Sequence, residues 1–356
     1  MENVIYGIEE IKNILPSEWE EKAYDLGAIT RSRVIKTAEE LLILNLLYQT
    51  SGKSLGGTSS ILKSSGELAL SKQAIGERII KSMKWNRWLS ENISRNAGIL
   101  GVKPSWLKYR RVLTADGTEE SSKGNKGTDY RFHYLMDLFT LEAIEVKLTD
   151  YREGEKLKQY TEMQPGDIVV ADRAYGTTKS IEYALSRGCD YVLRLKSNAF
   201  YLYDAAGRQI DVPGKIGKMK DGAYKELNLH YKKGNELQPV RLCIYRKTDA
   251  ENVNSEKNAI KSNNSRIKER SKVSDNQKFF CKFVIVATSL CETPEKILAL
   301  YRQRWQIELL FKRLKSIFNL DELPAKKEES VKAWFYGKLL LAAICEALDN
   351  KGRFSP

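Results

Sequence analysis

Histidine and cysteine are scarce in this chain. Only two histidines, His133 and His230, occur among 356 residues, and this number excludes a histidine-rich metal site. The five cysteines are scattered, and no two of them stand in a Cys-x-x-Cys spacing, so we expect neither a disulfide framework nor a structural zinc site. Such cysteine usage is typical of a reducing cytoplasm.

Long apolar runs and a secretory leader are missing as well. The most apolar stretch, GKLLLAAICEAL near the C-terminus, is shorter than the ~20 residues that a membrane-spanning helix needs. The first residues, MENVIYGIEEIKN, are acidic and mixed, which is unlike a signal peptide. We therefore expect a protein that works away from membranes.

Acidic residues are outnumbered by basic ones. The chain has 59 lysines and arginines against 46 aspartates and glutamates, which gives a net charge of +13 and a pI of about 9.3. This excess favours a polyanionic partner, by default nucleic acid, and a generally basic protein is the alternative. Apolar residues make up 42%, enough for a real core in one large or two to three smaller domains.

Residues 1–105 show helical spacing of apolar residues and no strand alternation. TAEELLILNLLYQTS is one predicted helix, and another begins at the N-cap Ser71, after a Gly-Gly break. The second helix carries Lys72, Gln73, Arg78 and Lys81. This arrangement is typical of a helix-turn-helix DNA reader and equally of a helical bundle with a solvated basic face. We expect a helical DNA-binding region.

Residues 106–198 change to short runs rich in β-branched, aromatic and leucine residues. RRVLTADGT, YRFHYLMDLFT and EAIEVKLTD predict three consecutive strands, and DIVVAD and CDYVLRLK predict two more. Helices are expected at EGEKLKQYTEM and at TKSIEYALSRG. Three adjacent strands followed by strand–helix alternation indicate an α/β fold, with a mixed sheet flanked by helices.

Residues 199–282 interrupt this order, and residues 283–356 resume it. The interruption holds the strand-like pieces KELNLHYKK and QPVRLCIYRK and a polar, basic run, which together predict a mainly β insertion with a basic linker. FFCKFVIVATSL then predicts a strand, TPEKILALYRQRWQIELLFKRLKSIFNL one long helix, and SVKAWFYGKLLLAAICEALDN another helix.

Two aspartates follow predicted strands at matching positions. Asp116 ends VLTAD, and Asp172 ends DIVVAD just before Arg173 and a loop closed by a glycine. Ligand sites gather at strand ends of α/β sheets, so the two carboxylates are candidates for one site. Taken singly, either aspartate is equally well explained as a turn-forming residue. Arg173 and Tyr175 are expected either to contact nucleic acid or to pack the loop.

The third candidate acid is Glu308, in the basic stretch YRQRWQIELLFKRLKS. Helical spacing places it on one face with Tyr301, Arg304 and Lys315. An ordinary ion-pair face, with Glu308 between Arg304 and Lys312, is the alternative. Two aspartates and a glutamate beside cations suit phosphoryl transfer with Mg²⁺, which prefers carboxylate oxygens and keeps waters for a substrate.

Three segments resemble the DDE transposases of bacterial insertion sequences, in particular the large family numbered four among them. TADGT resembles the first-aspartate motif, VVADRAYG is similar to the second, and YRQRWQIELLFKRLKS matches the Tyr-x2-Arg-x3-Glu-x6-Lys signature at all four positions. The resemblance covers roughly residues 106–320 and is weak over the N-terminal third. It implies an RNase H-like catalytic core.

The resemblance also implies cut-and-paste transposition by a homodimer in a synaptic complex. Its substrates are the terminal inverted repeats of its own element and a target DNA, and its cofactors are two Mg²⁺ ions, for which Mn²⁺ can substitute. The implied catalytic acids and metal ligands are Asp116, Asp172 and Glu308. The implied DNA-binding residues are Tyr301, Arg304 and Lys315, to which Arg173 is added for its place beside Asp172.

In characterised relatives, an aromatic residue of the insertion stacks on a flipped base during formation of a DNA hairpin. The candidates in this chain are Phe279, Phe280, Tyr231 and Tyr245. For a DNA-processing protein of this kind, we expect a cytoplasmic, nucleoid-associated location.

Two alternatives remain open. The chain ends at KGRFSP after one tail helix, whereas some relatives carry a longer C-terminal pairing region, so a catalytically incompetent, truncated DNA-binding remnant of such an element is the first. A metal nuclease with the same core that joins no strands is the second.

Overall fold

The structure is a computed structural model of the chain. It describes residues 2–30, 34–51, 54–66, 69–97, 101–120, 130–150, 152–196, 200–252, 275–304 and 328–353.

The described part of residues 1–105 is helical, as predicted, with a short 3₁₀ turn at its end. Thr37 caps the third helix by a reciprocal pair of hydrogen bonds with Glu40, and Ser71 caps the fifth by accepting from the backbone of Ala74. Each such cap contributes about 1 kcal/mol to helix stability. The helices are α1 (Glu2–Lys12), α2 (Trp19–Asp25), α3 (Ala38–Thr50), α4 (Leu55–Ser65), α5 (Lys72–Lys81) and α6 (Met83–Asn96).

The remaining helices are spread over the second half of the chain. They are α7 (Thr178–Ser186), α8 (Val212–Ile216), α9 (Asp275–Cys281), α10 (described over residues 294–304) and α11 (Glu328–Arg353).

Eight strands form one mixed sheet in the order β3-β2-β1-β4-β5-β8-β7-β6, which confirms the predicted α/β class. The strands are β1 (Val112–Glu120), β2 (Tyr130–Asp137), β3 (Ala143–Asp150), β4 (Ile168–Ala171), β5 (Asp190–Arg194), β6 (Tyr224–Lys233), β7 (Glu236–Arg246) and β8 (Phe283–Thr288).

The chain divides into two compact units, and the first comprises residues 1–105, 117–153 and 306–356. In its described part, α11 packs against α3, α5 and α6. Leu340 and Ile344 of α11 share one core with Leu41 and Trp85, and none of the four is more than 2% exposed. Burying one large apolar side chain contributes about 1.5–3 kcal/mol, so α11 is an integral part of this helical unit.

The second unit comprises residues 106–116 and 154–305. In it, β1 and β5 both pair in parallel with β4, which is buried along its whole length. The pairs β5–β8, β8–β7 and β7–β6 are antiparallel. The strands predicted for the insertion therefore continue the same sheet as an edge hairpin. The division predicted from the sequence, into a DNA-binding region (1–105), a catalytic core in two parts (106–198 and 283–356) and an insertion (199–282), remains a prediction.

Ion pairs fix the first residues of β1, β4 and β5 in register. Arg111 donates two parallel hydrogen bonds to Asp167, from Nε at 2.8 Å and from Nη2 at 2.6 Å. Arg110 pairs with Asp190 through Nη2 alone, at 2.5 Å, while its Nε donates to the carbonyl of Gly166 at 2.8 Å. Asp167 is 3% exposed, and a two-pronged arginine–carboxylate pair at a buried acid imposes geometry as well as energy. Fixing the register at one end of these strands also fixes it at the other end. A slip of one residue would turn every side chain of a strand to the opposite face of the sheet.

Two elements differ from their predicted form. EGEKLKQYTEM contains only the 3₁₀ turn Leu157–Gln159, because its apolar side chains, spaced three apart, are anchored in the core and Pro165 follows soon after. The strand predicted from FFCKFVIVATSL begins only at Phe283, since its first residues belong to α9. There Phe279 and Phe283, four residues apart, pack with ring centroids separated by 5.1 Å.

No helix in the described part of the chain has the length and apolarity that crossing a bilayer requires.

Candidate active site

Asp116 and Asp172 lie side by side at the same level of two adjacent parallel strands. In the register of β1 and β4, Ala115 pairs with Ala171; Asp116 is the next residue of β1, and Asp172 directly follows β4. Neighbouring strands are separated by ~4.8 Å, so the two carboxylates fall within reach of one ligand. Both residues are half-buried. The register thus brings together two of the predicted site residues, but Asp116 does not end its strand as predicted, because β1 continues to Glu120.

The loop after Asp172 turns tightly. The carboxylate Oδ1 of Asp172 accepts a hydrogen bond from the backbone of Ala174 at 2.7 Å, and its carbonyl accepts from the backbone of Tyr175 at 3.2 Å. The loop closes at Gly176, which lies directly against β5: a Cβ atom there would stand 2.1 Å from the carbonyl oxygen of Arg194. The loop therefore requires glycine for close backbone approach, and it fixes the direction of the Asp172 carboxylate.

A tyrosine links the two aspartate segments. The hydroxyl of Tyr160 donates to the carbonyl of Asp116 at 2.9 Å and lies 3.3 Å from the hydroxyl of Tyr175. Because a phenol has a single hydrogen, Tyr175 must be the donor in the second contact. Tyr175 is fully buried, and burial raises its pKa above the usual range, so its hydroxyl stays protonated. Of its two expected roles, Tyr175 therefore has the packing role.

Tyr301 and Arg304 lie in α10 and are 6% and 4% exposed. Arg304 Nη2 donates to the hydroxyl of Tyr301 at 3.2 Å, and its guanidinium carbon lies 5.1 Å from the centre of the tyrosine ring. Arg194, at the end of β5, approaches the same ring at 5.9 Å. The signature tyrosine and arginine thus form one packed group. Glu308 and Lys315 lie outside the described residues.

Arg173 is half-buried beside Asp172. Burial, followed by the charge of Arg194, lowers its pKa, while Tyr301 and Asp172 act in the opposite direction. A guanidinium stays charged in spite of such a shift. These electrostatic effects indicate that the Asp172 loop, the end of β5 and α10 lie close to one another.

Comparison with known proteins identifies the family. The family model described as "Transposase DDE domain" matches residues 110–344, about two thirds of the chain. The chain belongs to the DDE transposases.

Relatives of the chain that carry names are transposases too, in agreement with this family assignment. The chain is 30% identical over 342 residues to "Putative transposase InsL for insertion sequence element IS186A" of Escherichia coli (strain K12), which covers 93% of this chain and 90% of that one. The transposase for insertion sequence element IS421 of Escherichia coli is 30% identical over 343 residues, with the same coverage. That for IS231C of Bacillus thuringiensis subsp. berliner is 28% identical over 390 residues, covering 98% of this chain and 80% of that one.

The transposase is thus an enzyme of an insertion sequence that acts on DNA, and its domain implies an RNase H-like fold and dependence on a divalent metal. The donor set fits such an ion, since two carboxylates from adjacent strands supply the hard oxygen ligands that small divalent cations prefer. Among the residues that the structure describes, no three histidine, cysteine, aspartate or glutamate side chains converge into a metal-holding group. The predicted third carboxylate, Glu308, is not among those residues.

Sequence reasoning missed Tyr160 and Arg194 as parts of this site. Tyr160 lies in a segment predicted as a helix, and Arg194 lies in a strand with no motif around it. Their relation to Asp116 and Tyr301 arises from sheet register and from packing over long sequence separations. The sole local signal was the glycine that closes VVADRAYG, which pointed to close backbone approach but not to β5 as its neighbour.

Tyr160→Phe tests the link between the aspartate segments. The change removes the donor to the Asp116 carbonyl and the acceptor for the buried Tyr175 hydroxyl, which lowers the free energy of unfolding by about 1–3 kcal/mol. We expect DNA cleavage to slow about tenfold or more, because the Asp116 backbone loses its anchor. Denaturant titration and single-turnover cleavage measure the two effects.

Tyr183→Phe is the matched control. The Tyr183 hydroxyl donates to the carbonyl of Tyr160 at 2.7 Å and does not touch Asp116, so its loss should cost similar stability and leave cleavage near the wild-type rate. Equal rates in the two variants would contradict the positioning role of Tyr160.

Proposed function

We propose that the transposase moves its element by cut-and-paste transposition with a triad of Asp116, Asp172 and Glu308. The observation that carries the proposal is the register of β1 and β4, which brings the first two acids to neighbouring positions. Their order along the chain, followed by the basic stretch that contains Glu308, supports the assignment of the third.

In this proposal the three carboxylates hold two Mg²⁺ ions, with Mn²⁺ as a substitute. When bound, such ions would supply positive charge at the attacking and the leaving oxygen. The protein's own groups orient the substrate. Tyr301, Arg304, Lys315 and Arg173 hold DNA phosphates next to the reacting one, so that the nucleophile and phosphorus meet in line.

Successive phosphoryl transfers follow at each end. In the first, a water oxygen bonds to phosphorus and loses a proton, and the 3′ oxygen of the element leaves and takes up a proton. In the second, the freed 3′-hydroxyl loses its proton and bonds to a phosphorus of the opposite strand, and the 3′ oxygen of the flanking DNA leaves and takes up a proton. A second water then opens this hairpin and frees the 3′-hydroxyl again. That hydroxyl attacks a phosphorus of the target, from which a 3′ oxygen leaves with a proton. Each hydrolysis consumes one water and each strand transfer replaces one phosphodiester by another, so no oxidant is needed.

We further propose that the substrates are the element's terminal inverted repeats and a target DNA, held by a homodimer in a synaptic complex. The helical part of residues 1–105 is the proposed end-binding region. Lys72, Gln73 and Lys81 on α5 are exposed and provide donors to phosphates or base edges. The proposed location is the cytoplasm, in association with the nucleoid.

Among the four aromatic candidates for base stacking, Phe280 is the one we propose. Tyr231 and Tyr245 are 2% and 8% exposed, which leaves little ring surface for a base. Phe280 lines an open cavity of about 680 Å³ together with Phe200 and Tyr201. A cavity of that size accommodates a nucleobase and its sugar.

Cleavage of a linear DNA that carries the gene with its native flanks tests the proposed function. We expect cuts at the two element ends with Mg²⁺ and none with EDTA or in Glu308→Gln. Robust cutting by Glu308→Gln would contradict the triad. Binding without cuts in either protein would favour a DNA-binding remnant, and cuts without joined products would favour a nuclease.

A further inference from the structure

Four cations from four separate elements lie together beside the Asp172 loop. They are Arg173 after β4, Arg194 at the end of β5, Lys247 just after β7 and Arg304 in α10. Arg194 and Arg304 approach the ring of Tyr301 at 5.9 Å and 5.1 Å. The charge of Arg194 lowers the pKa of both Arg173 and Lys247, which indicates that the three side chains are close together. The signature residues account for only one member of this cation cluster.

Lys247 is fixed in place by the end of the insertion. Its ammonium Nζ donates to the carbonyl of Cys281 at 2.8 Å, and its backbone nitrogen donates to the carbonyl of Lys282 at 2.9 Å. The side chain is half-buried, whereas lysine side chains usually keep their charged end in solvent. The last residue of α9 therefore holds this ammonium close to Arg194 and Arg173.

The surroundings of Lys247 are predominantly positive. Burial, followed by the charges of Arg194 on β5 and Arg173 in the Asp172 loop, lowers its pKa to about 8. The groups that act in the opposite direction are Cys281 of α9 and Glu251 in the helical residues 249–252. Glu251 itself accepts hydrogen bonds from Tyr245 and Thr248. Repulsion between neighbouring cations and their partial burial both raise the free energy of this cluster. An anion that binds among the cations offsets that repulsion.

Arg173 and Arg194 differ in their ion pairing from other partly buried arginines of the second unit. Among the residues that the structure describes, no salt bridge includes Arg173 or Arg194. In contrast, Arg241 pairs with Glu226, and Arg246 with Asp221. Within the described residues, a carboxylate thus pairs with each of these two arginines of the β6–β7 hairpin, and none pairs with Arg173 or Arg194.

We propose that Arg194 and Lys247 form a phosphate subsite for the DNA backbone, next to the catalytic carboxylates and in addition to the signature residues. The ligand is a phosphodiester of DNA, held by charge and hydrogen bonds without regard to base sequence. Because Arg173 adjoins both Asp172 and this subsite, the bound phosphate lies next to the reacting one. The inference rests on the proposed function for its substrate.

Binding of two duplexes of equal length, one an element end and the other of random sequence, tests the subsite in EDTA. We expect Lys247→Met and Arg194→Gln each to weaken binding to both duplexes about tenfold at ~0.15 M salt. Each variant should also reduce the slope of log affinity against log salt by about 0.9, the value for one lost phosphate contact. The matched control is Lys233→Met, an exposed lysine at the end of β6, which should behave as wild type.

Lys247→Arg supplies a readout that a structural role cannot mimic. The wild-type ammonium is charged below pH ~8 and neutral above it, so affinity should fall about tenfold between pH 7 and pH 9. Lys247→Arg keeps its charge over this range, so it should bind as wild type at pH 7 and lose that pH dependence. Thermal unfolding verifies that each variant is folded.

The outcomes separate the subsite from the proposed function. Wild-type affinity and salt slope in Lys247→Met, or an unchanged pH dependence in Lys247→Arg, would overturn the subsite even if element ends are cut. A second outcome is that the wild type cuts no element ends while Lys247→Met still shows a smaller slope of log affinity against log salt on the random duplex. That result would support the subsite and contradict cut-and-paste transposition. A wild type that binds neither duplex overturns both.

Discussion

Asp172→Asn and Asp116→Asn are each expected to reduce DNA cleavage at least a thousandfold while DNA binding persists. Each amide keeps the shape of the acid but replaces one anionic oxygen with a donor nitrogen, which repels a cation instead of binding it. The phosphate-binding residues are unaltered, so affinity for element-end DNA in EDTA should stay within about threefold of wild type. Single-turnover cleavage and fluorescence anisotropy measure the two quantities.

An aspartate at the opposite end of the neighbouring strand β5 provides the control. Asp190 opens β5, where it accepts from Arg110 and from Ser289. Asp190→Asn should lower the free energy of unfolding, because it weakens a partly buried ion pair, and should still cleave at a rate near wild type. If Asp172→Asn cleaves as fast as Asp190→Asn, the assignment of the catalytic acids is wrong.

Gly176→Ala is expected to slow cleavage about a hundredfold and to lower the unfolding free energy by about 2–3 kcal/mol. The added Cβ meets the carbonyl oxygen of Arg194 at 2.1 Å and the Cα atom of Leu195 at 3.3 Å. Both are backbone atoms of or next to β5 and cannot rotate away, so the loop after Asp172 must move. A displacement of ~1 Å at a reacting group is enough for such a loss of rate.

Gly154→Ala is the corresponding substitution at an unconstrained glycine. Nothing lies within 4 Å of its added Cβ, so stability and cleavage should both match wild type. Wild-type cleavage by Gly176→Ala, with an unchanged unfolding midpoint, would show that the loop does not position Asp172.

The sequence predicted the strands and helices of this site better than it predicted which of them lie next to one another. The apolar run IVVA and the acid after it were enough to predict a buried strand with a functional end. The parallel pairing of Ala115 with Ala171 was not predicted, since nothing local specifies which strands pair. Tyr160 shows the limit most clearly, because its apolar neighbours fitted a helix and long-range packing overrode that spacing.

The same limit applies to α11. Its amphipathic pattern predicted a helix, but the pattern shows only that one face needs a partner. That the partner is α3, α5 and α6, hundreds of residues earlier in the chain, depends on the shape of the complementary apolar surfaces. Side chains brought together over such separations, including Arg194 and Lys247, remain outside the reach of motif reasoning.

The packing of α11 against the first helices has a consequence for synthesis. The ribosome makes residues 1–105 about 220 residues before α11, which at ~5–20 residues per second is a delay of roughly 10–45 s. During that delay, the faces of α3 and α6 that carry Leu41 and Trp85 lack the helix that later covers them. The proposed DNA-binding region therefore completes its fold only after translation has passed the catalytic core.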